Sequence, residues 1–197
     1  MSRIVTWLAF IVLAIAGWKA CSQRTVQHAP GQVAPDVPVQ TSASSSRPIA
    51  LGAYTLQPLA DFKITARVLS SESYSSDRES DLSPIDFALG WGPMSDSAVL
   101  DKIDISQNGR FFFWHVDTFP IPREEIETHA SNMHMVPANS EVSAALKHVR
   151  VGQRVSIKGY LIEATAPDGW HWRSSLSRSD TGAGACELVY VESISVN

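Results

Sequence analysis

Chemistry in this chain starts from a thiol. The sequence holds two cysteines, Cys21 and Cys186, and Cys186 is the only one in the C-terminal three-quarters of the chain. A thiol becomes a nucleophile when a base takes its proton or oriented amides favour the sulfur anion. Asn132-Met133-His134 offers an imidazole and a carboxamide, and the stretch Gly182 to Ala185 offers backbone N–H groups for an oxyanion or anion nest. Cys186, His134 and Asn132 are therefore the candidate catalytic residues of a small hydrolase. The same cysteine alternates with Leu188 and Tyr190 on one strand face, the pattern of a structural thiol in a core. Both readings stand at this level.

A second cluster is W-H-W-R-S-S-L-S-R-S-D-T-G, beginning at Trp170, which puts aromatics, arginines, serines and a carboxylate on one strand and its following loop. Tryptophan faces give stacking area and arginine gives a planar fork, so Trp170, Trp172, Arg173, Arg178 and Asp180 are the candidate ligand-binding residues, suited to a sugar, peptide or small anion. The plain alternative places one tryptophan in the core and pairs Arg178 with Asp180 or Glu187. Asp180-Thr181-Gly182-Ala183 also spells the active-site signature of aspartic proteases. Polar Arg178 and Ser179 precede it where an apolar strand is needed, and only 15 residues follow Gly182, so a glycine-rich turn is the better reading. Among His115, His129, His134, His148 and His171 there is no His-x-x-x-His pair or Cys/His ligand spacing, so no metal and no cofactor is expected. Gly90-Trp91-Gly92-Pro93-Met94-Ser95-Asp96 reads as a tight corner.

These residues must be positioned by short strands and helices. Phe62, Ile64, Ala66 and Val68 alternate with polar neighbours as in a half-buried strand, and Ile85, Phe87, Leu89 and Trp91 repeat the pattern. Ser95-Asp96 can cap a short helix through Ile103. Asn108-Gly109 turns the chain into Arg110 to Val116, a run apolar on both faces that reads as a central strand. Pro122, Glu124 and Glu125 open a helix expected to reach Ser131, with Asn132 near its end. Asn139 caps a third helix, whose Val142, Ala145, Leu146 and Val149 form one face and which Gly152 ends. A strand after Gly152, a turn at Pro167-Asp168-Gly169, a return strand over GWHWRSSL and a final strand from Cys186 complete the order. The expectation is an α+β fold, mainly antiparallel sheet with two to three short helices behind an N-terminal transmembrane helix. A small closed barrel of the oligonucleotide/oligosaccharide-binding type fits, because a capped helix falls between the third and fourth main strands.

Fifteen residues, Ile4 to Trp18, are broken only by the hydroxyl of Thr6 and are flanked by Arg3 and Lys19. As a helix the run is about 22 Å long, short of the ~30 Å hydrocarbon core unless Ala20 and Cys21 join it and Lys19 snorkels. An uncleaved signal anchor is favoured over a cleaved signal peptide, since Ala14-Ile15-Ala16 as the cleavage site would leave a short apolar core. The expected organisation is residues 1–21 as signal anchor, residues 22–52 as a disordered linker rich in Pro, Ser, Ala and Gln, and residues 53–197 as an extracytoplasmic globular domain. Residues 1–52 hold four of the 16 basic and one of the 20 acidic side chains, leaving 12 against 19 from residue 53 onward, a balance of −7. That sign argues against nucleic acid as a partner.

The segments GWGPMSD, SNMHMVPAN and SSLSRSDTGAGACE resemble an uncharacterised group of exported, single-anchor bacterial envelope proteins. The resemblance covers the domain and not the linker, and it implies a bacterial envelope location without an assigned activity. The expectation is a single-pass protein of the inner (cytoplasmic) membrane, held by its N-terminal helix, whose C-terminal periplasmic domain binds an envelope protein or a glycan. A small envelope hydrolase using Cys186 and His134 is the alternative.

Overall fold

A computed structural model describes residues 24–177, 180, 182 and 184–197. The expected anchor, Cys21 and Arg178 lie outside the described residues. Within them the chain runs β1 (Val39–Ser42), β2 (Ile49–Leu51), β3 (Tyr54–Ser73), β4 (Ile85–Gly90), α1 (Ser97–Leu100), β5 (Asp104–Asn108), β6 (Phe111–His115), α2 (Arg123–Thr128), β7 (Ala130–Pro137), α3 (Ser140–Lys147), β8 (Arg154–Thr165), β9 (His171–Arg173) and β10 (Glu187–Val196). The architecture is mixed α+β, mostly sheet, with three short α-helices among the described residues.

Five strands pair in a ring: β3 with β4, β4 with β7, β7 with β10, β10 with β8, and β8 back to β3. All of these pairs are antiparallel except β7 with β10. The ring closes because β3 is 20 residues long and irregular in register at Pro58/Ala60 and again at Val68/Ser70, so its first part pairs with β8 and its last part with β4. Such bulges bend a strand and increase its twist. Gly159 on β8 sits where β10 approaches closely, and an added Cβ there would collide with the carbonyl of Tyr190.

One residue parity from each ring strand points inward. Phe62 and Ile64, Phe87 and Leu89, Met133 and Met135, Val155 and Ile157, and Val189 and Val191 form one buried cluster, which Val142 and Leu146 of α3 join. Each such side chain contributes roughly 1.5–3 kcal/mol by leaving water. α3 begins as expected, with the Asn139 side chain accepting from the Val142 N–H at 3.0 Å. Asp96 caps α1 by accepting from Ala98 N–H at 2.8 Å.

Two further apolar clusters cover the ring from outside. Tyr54, Leu56, Leu82, Val136, Ile162 and Leu188 pack with Trp170 and Trp172. Leu69, Ala88, Met94, Ile103, Ile126 and Ala130 lie under Ile105, Phe112 and Trp114 of the β5–β6 hairpin. All six residues of β4 are therefore buried, where alternation alone predicted one wet face.

Four expectations need correction. The aromatic run Arg110–Val116 is not a central strand: its core, β6, pairs only with β5, in a two-stranded sheet outside the ring. It is apolar on both faces because Phe112 and Trp114 pack inward while Phe111 and Phe113 stay open. The second helix ends at Thr128, so Ser131, Asn132 and His134 belong to strand β7. The return strand over GWHWRSSL is paired only at His171–Arg173. Residues 22–52, expected to be unpaired, carry β1 and β2, both hydrogen-bonded to β3, and Val26 N–H donates to Val151 C=O at 2.8 Å. Composition measures side-chain burial, whereas this segment is ordered largely by backbone bonds to an edge that the domain leaves open.

Candidate active site

The register of β4 and β7 sets Asp86 directly opposite His134, and Ala88 opposite Asn132. Side chains alternate along a strand, so Asp86, His134 and Asn132 share the outer face while Phe87, Met133 and Met135 point into the ring. β10 runs parallel to β7 with Leu188 beside His134 and Glu187 beside Met133, which delivers Cys186, the residue before β10, to the level of Asn132. Three separate segments thus meet at one point.

His134 is 4% exposed and Asp86 is wholly buried. His134 Nδ1 stands 2.8 Å from Asp86 Oδ2, a close charge contact that lies off the line of a regular hydrogen bond. The Cys186 sulfur is close enough to act electrostatically on the ring; its own hydrogen bonds run to the Arg110 carbonyl, to which the thiol donates at 3.9 Å, and from Asn132 Nδ2 at 3.8 Å. With Nδ1 turned to the carboxylate, Nε2 is the nitrogen left for sulfur. Burial pushes the imidazole toward its neutral form, but Asp86 and Cys186 outweigh it and raise the His134 pKa to about 8. The Trp172 ring covers the imidazole, with centroids 4.7 Å apart at an interplanar angle of 47°.

Arg110 holds the carboxylate from the other side. Its Nη1 donates to Asp86 Oδ1 at 3.1 Å, its Nε and Nη2 donate to Asp77 at 2.9 and 2.8 Å, and Nη2 also reaches the Ser83 carbonyl. The guanidinium lies between the rings of Tyr74, 4.0 Å away, and Trp172, 5.4 Å away. Burial opposes its charge, yet Asp77 and Asp86 raise its pKa above the usual arginine value. The Tyr74 hydroxyl accepts from Arg110 N–H at 3.0 Å, and burial with the nearby Asp86 charge pushes it up to about 12. Arg110 sits at the β5–β6 turn with φ +68°, a conformation rare for a residue with a side chain. Strain at that turn is tolerated because the guanidinium is so fully bonded.

Asn132 is oriented by its neighbours. Gln107 Nε2 donates to its Oδ1 at 2.6 Å, and its Nδ2 donates to the Arg110 carbonyl at 2.9 Å and faces Cys186 Sγ at 3.8 Å. The carboxamide nitrogen is therefore fixed beside the sulfur. Cys186 is partly exposed and, with Asn132 and Asp180, lines one end of an open cleft of about 560 Å³ whose other wall is β6. That volume is within the range of small-molecule and peptide-side-chain sites. Among the described residues, no three His, Cys, Asp or Glu side chains form a group able to hold a metal ion.

The structure brings together Cys186, His134 and Asn132. Of the five ligand-binding candidates, Trp170 and Trp172 meet edge-on with ring centroids 6.3 Å apart, while Arg173 and Asp180 have other partners. Trp172 covers His134 as above. Trp170 packs edge-on against Tyr54 at 5.3 Å and lies under the Arg78 guanidinium, which makes two bonds to Asp168 at 2.7 and 3.0 Å. Arg173 pairs with Glu163 on an exposed surface. Asp180 accepts from Ser175 Oγ at 2.6 Å and reaches the cleft beside Cys186. Arg178 lies outside the described residues. Sequence reasoning missed Asp86 and Arg110. The signal available for Asp86 was an acid alone in the run Ile85 to Leu89; Arg110, in a turn, carried none. No model of a known family, no curated protein and no solved structure matches the chain.

Proposed function

We propose that the protein is a cysteine-dependent hydrolase of an acyl compound, with Cys186 as nucleophile, His134 as general base and acid, and Asp86 as the group that orients the imidazole and stabilises the charge it gains on taking the thiol proton. The observation that carries this reading is the convergence of a partly exposed sulfur held by Asn132 with a buried imidazole paired to a wholly buried carboxylate. Such a relay is recognised by geometry and role rather than by chain order. Cys186 Sγ adds to the acyl carbon while its proton passes to His134 Nε2. The carbon–nitrogen or carbon–oxygen bond then breaks, and His134 returns that proton to the leaving atom. Water attacks the thioester, giving a proton to His134, and the sulfur leaves and takes the proton back. Asn132 Nδ2 would stabilise the oxyanion formed in each addition.

The ring β3-β4-β7-β10-β8, closed by pairing and with α3 between its third and fourth strands, supports reading the scaffold as a small oligonucleotide/oligosaccharide-binding type barrel. The Ile4–Trp18 run supports placing the domain at the outer face of a bacterial inner membrane, with the acidic balance arguing against nucleic acid. A tethered binding domain is the second reading, favoured by the same aromatic-walled cleft, and the thiol separates the two.

The test uses full-length chain in detergent with Cys21→Ser, so that Cys186 is the sole thiol. Intact mass should show rapid alkylation by iodoacetamide at neutral pH and an acyl adduct from an activated phenyl ester. His134→Ala should slow acylation by about 100-fold, the scale of general-base catalysis. A Cys186 that neither alkylates nor acylates removes the hydrolase and leaves the binding domain.

A further inference from the structure

The wall of the cleft facing Cys186 is the backbone edge of a strand. All six consecutive residues from Phe111 to Val116 line the cleft. A strand that turned one face to a cavity would contribute alternate residues, so an unbroken series means that the edge itself borders the space. Gly109 and Arg110, both at positive φ, form a two-residue turn that closes on the pair Asn108 and Phe111. Such a turn closes on a hydrogen-bonded pair. Phe111, Phe113 and His115 therefore bond toward β5, and the N–H and C=O groups of Phe112 and Trp114 point the other way. Among the described residues no strand pairs with that side of β6, and no backbone bond from another part of the chain reaches Phe112 or Trp114.

We propose that the substrate is an extended polypeptide that adds to the free edge of β6 as a third strand and brings one of its peptide carbonyls to Cys186. The proposal rests on the hydrolase reading and names its substrate class. An unpaired strand edge is complementary to another backbone and to little else, and an aliphatic acyl chain would leave it unpaired. β6 spans about 17 Å at ~3.4 Å per residue, enough to register four or five substrate residues. Apolar side chains alternating along that segment would meet Phe119 and the apolar wall of the cleft. The cleaved bond is the peptide C–N bond: the sulfur takes the acyl group, the leaving nitrogen receives the proton held by His134, and water's oxygen ends on the acyl carbon.

The full-length Cys21→Ser chain is treated with four chloromethyl ketones: an apolar pentapeptide, an alkyl chain of equal length, and two forms of the pentapeptide methylated on one or the other alternate set of amide nitrogens. Each forms a carbon–sulfur bond at Cys186 with loss of chloride, read by intact mass. The peptide should label at least about tenfold faster than the alkyl reagent, the worth of one or two hydrogen bonds. One methylated form should fall to the alkyl rate while the other keeps the peptide rate, because an added strand uses only every second N–H. Equal rates for peptide and alkyl reagents, or for the two methylated forms, overturn the polypeptide assignment. If iodoacetamide labels Cys186 in the same sample, that failure leaves the hydrolase standing; if iodoacetamide is inert, both proposals fall.

Discussion

The two faces of β4 and β7 are equally shielded from water and are held in opposite ways. Inside the ring, Phe87, Met133 and Met135 are stabilised by the apolar area they bury. Outside it, Asp86 and His134 sit under Trp172 and Arg110, where burial penalises every charge and only mutual pairing offsets the penalty. Ring strands do not need such a network for stability. Buried ionic groups replaced together by apolar ones of similar volume are often neutral or stabilising, whereas removing one member leaves an uncompensated charge. In the proposed function the outer face is the site and the inner face its support.

The largest effect should come from breaking each face singly. Phe87→Ala is expected to cost about 3–5 kcal/mol by leaving a cavity, and Asp86→Ala a similar ~3–5 kcal/mol by leaving buried His134 without its carboxylate and Arg110 with Asp77 as its one acidic partner. Urea unfolding would measure both. The faces separate in the triple change Asp86→Leu, Arg110→Met, His134→Leu, which should be less destabilised than Asp86→Ala alone; a triple variant worse than the single one would remove the distinction.

A middle-sized effect should follow pH. His134 is raised from 6.5 to about 8 in the folded chain, so its protonated form favours folding. Its contribution, roughly 2 kcal/mol from the size of the shift, is complete below about pH 6.5 and is lost as pH rises through about 8. Stability measured from pH 6 to 9 should fall in the wild type, and the fall should be reduced in Asp86→Asn, with the His134 proton resonance titrating at lower pH. The inner face contributes nothing to that slope.

The smallest effect tests the periphery of the cluster around Trp170. Arg173→Ala breaks an exposed pair with Glu163 and should change stability by no more than about 0.5 kcal/mol. It should also leave Cys186 alkylation unchanged, as expected of a residue remote from the cleft.

The legible parts of the fold were those governed by neighbours in sequence. Asn139 and Asp96 cap their helices as read, because a cap is completed within three residues. The turn expected at Asn108-Gly109 forms one residue later, on Gly109-Arg110, with Asn108 closing β5. β7 was missed: SNMHMVP mixes polar and apolar residues, and its polar members looked like a helix end until β4, Trp172 and Arg110 covered them. The aromatic hairpin was misplaced for the converse reason, since apolarity on both faces is the same in sequence whether a strand is central or caps a sheet from outside. Within the site, Cys186, His134 and Asn132 were recognisable by type. Asp86 was hidden on the polar phase of a strand that appeared half-exposed.

Taken by itself, the sequence determined which residues could react, where helices begin, where the chain turns and that one long apolar run precedes an acidic region. Each of those is settled within a few bonds or by composition. Tertiary structure alone decided that Asp86, His134 and Cys186 meet, because their approach depends on the registers of β4 with β7 and of β7 with β10, separations of 48 and 52 residues that no local preference encodes. It also decided that the edge of β6 borders the cleft, which follows from what packs beside the hairpin rather than from the hairpin's own residues.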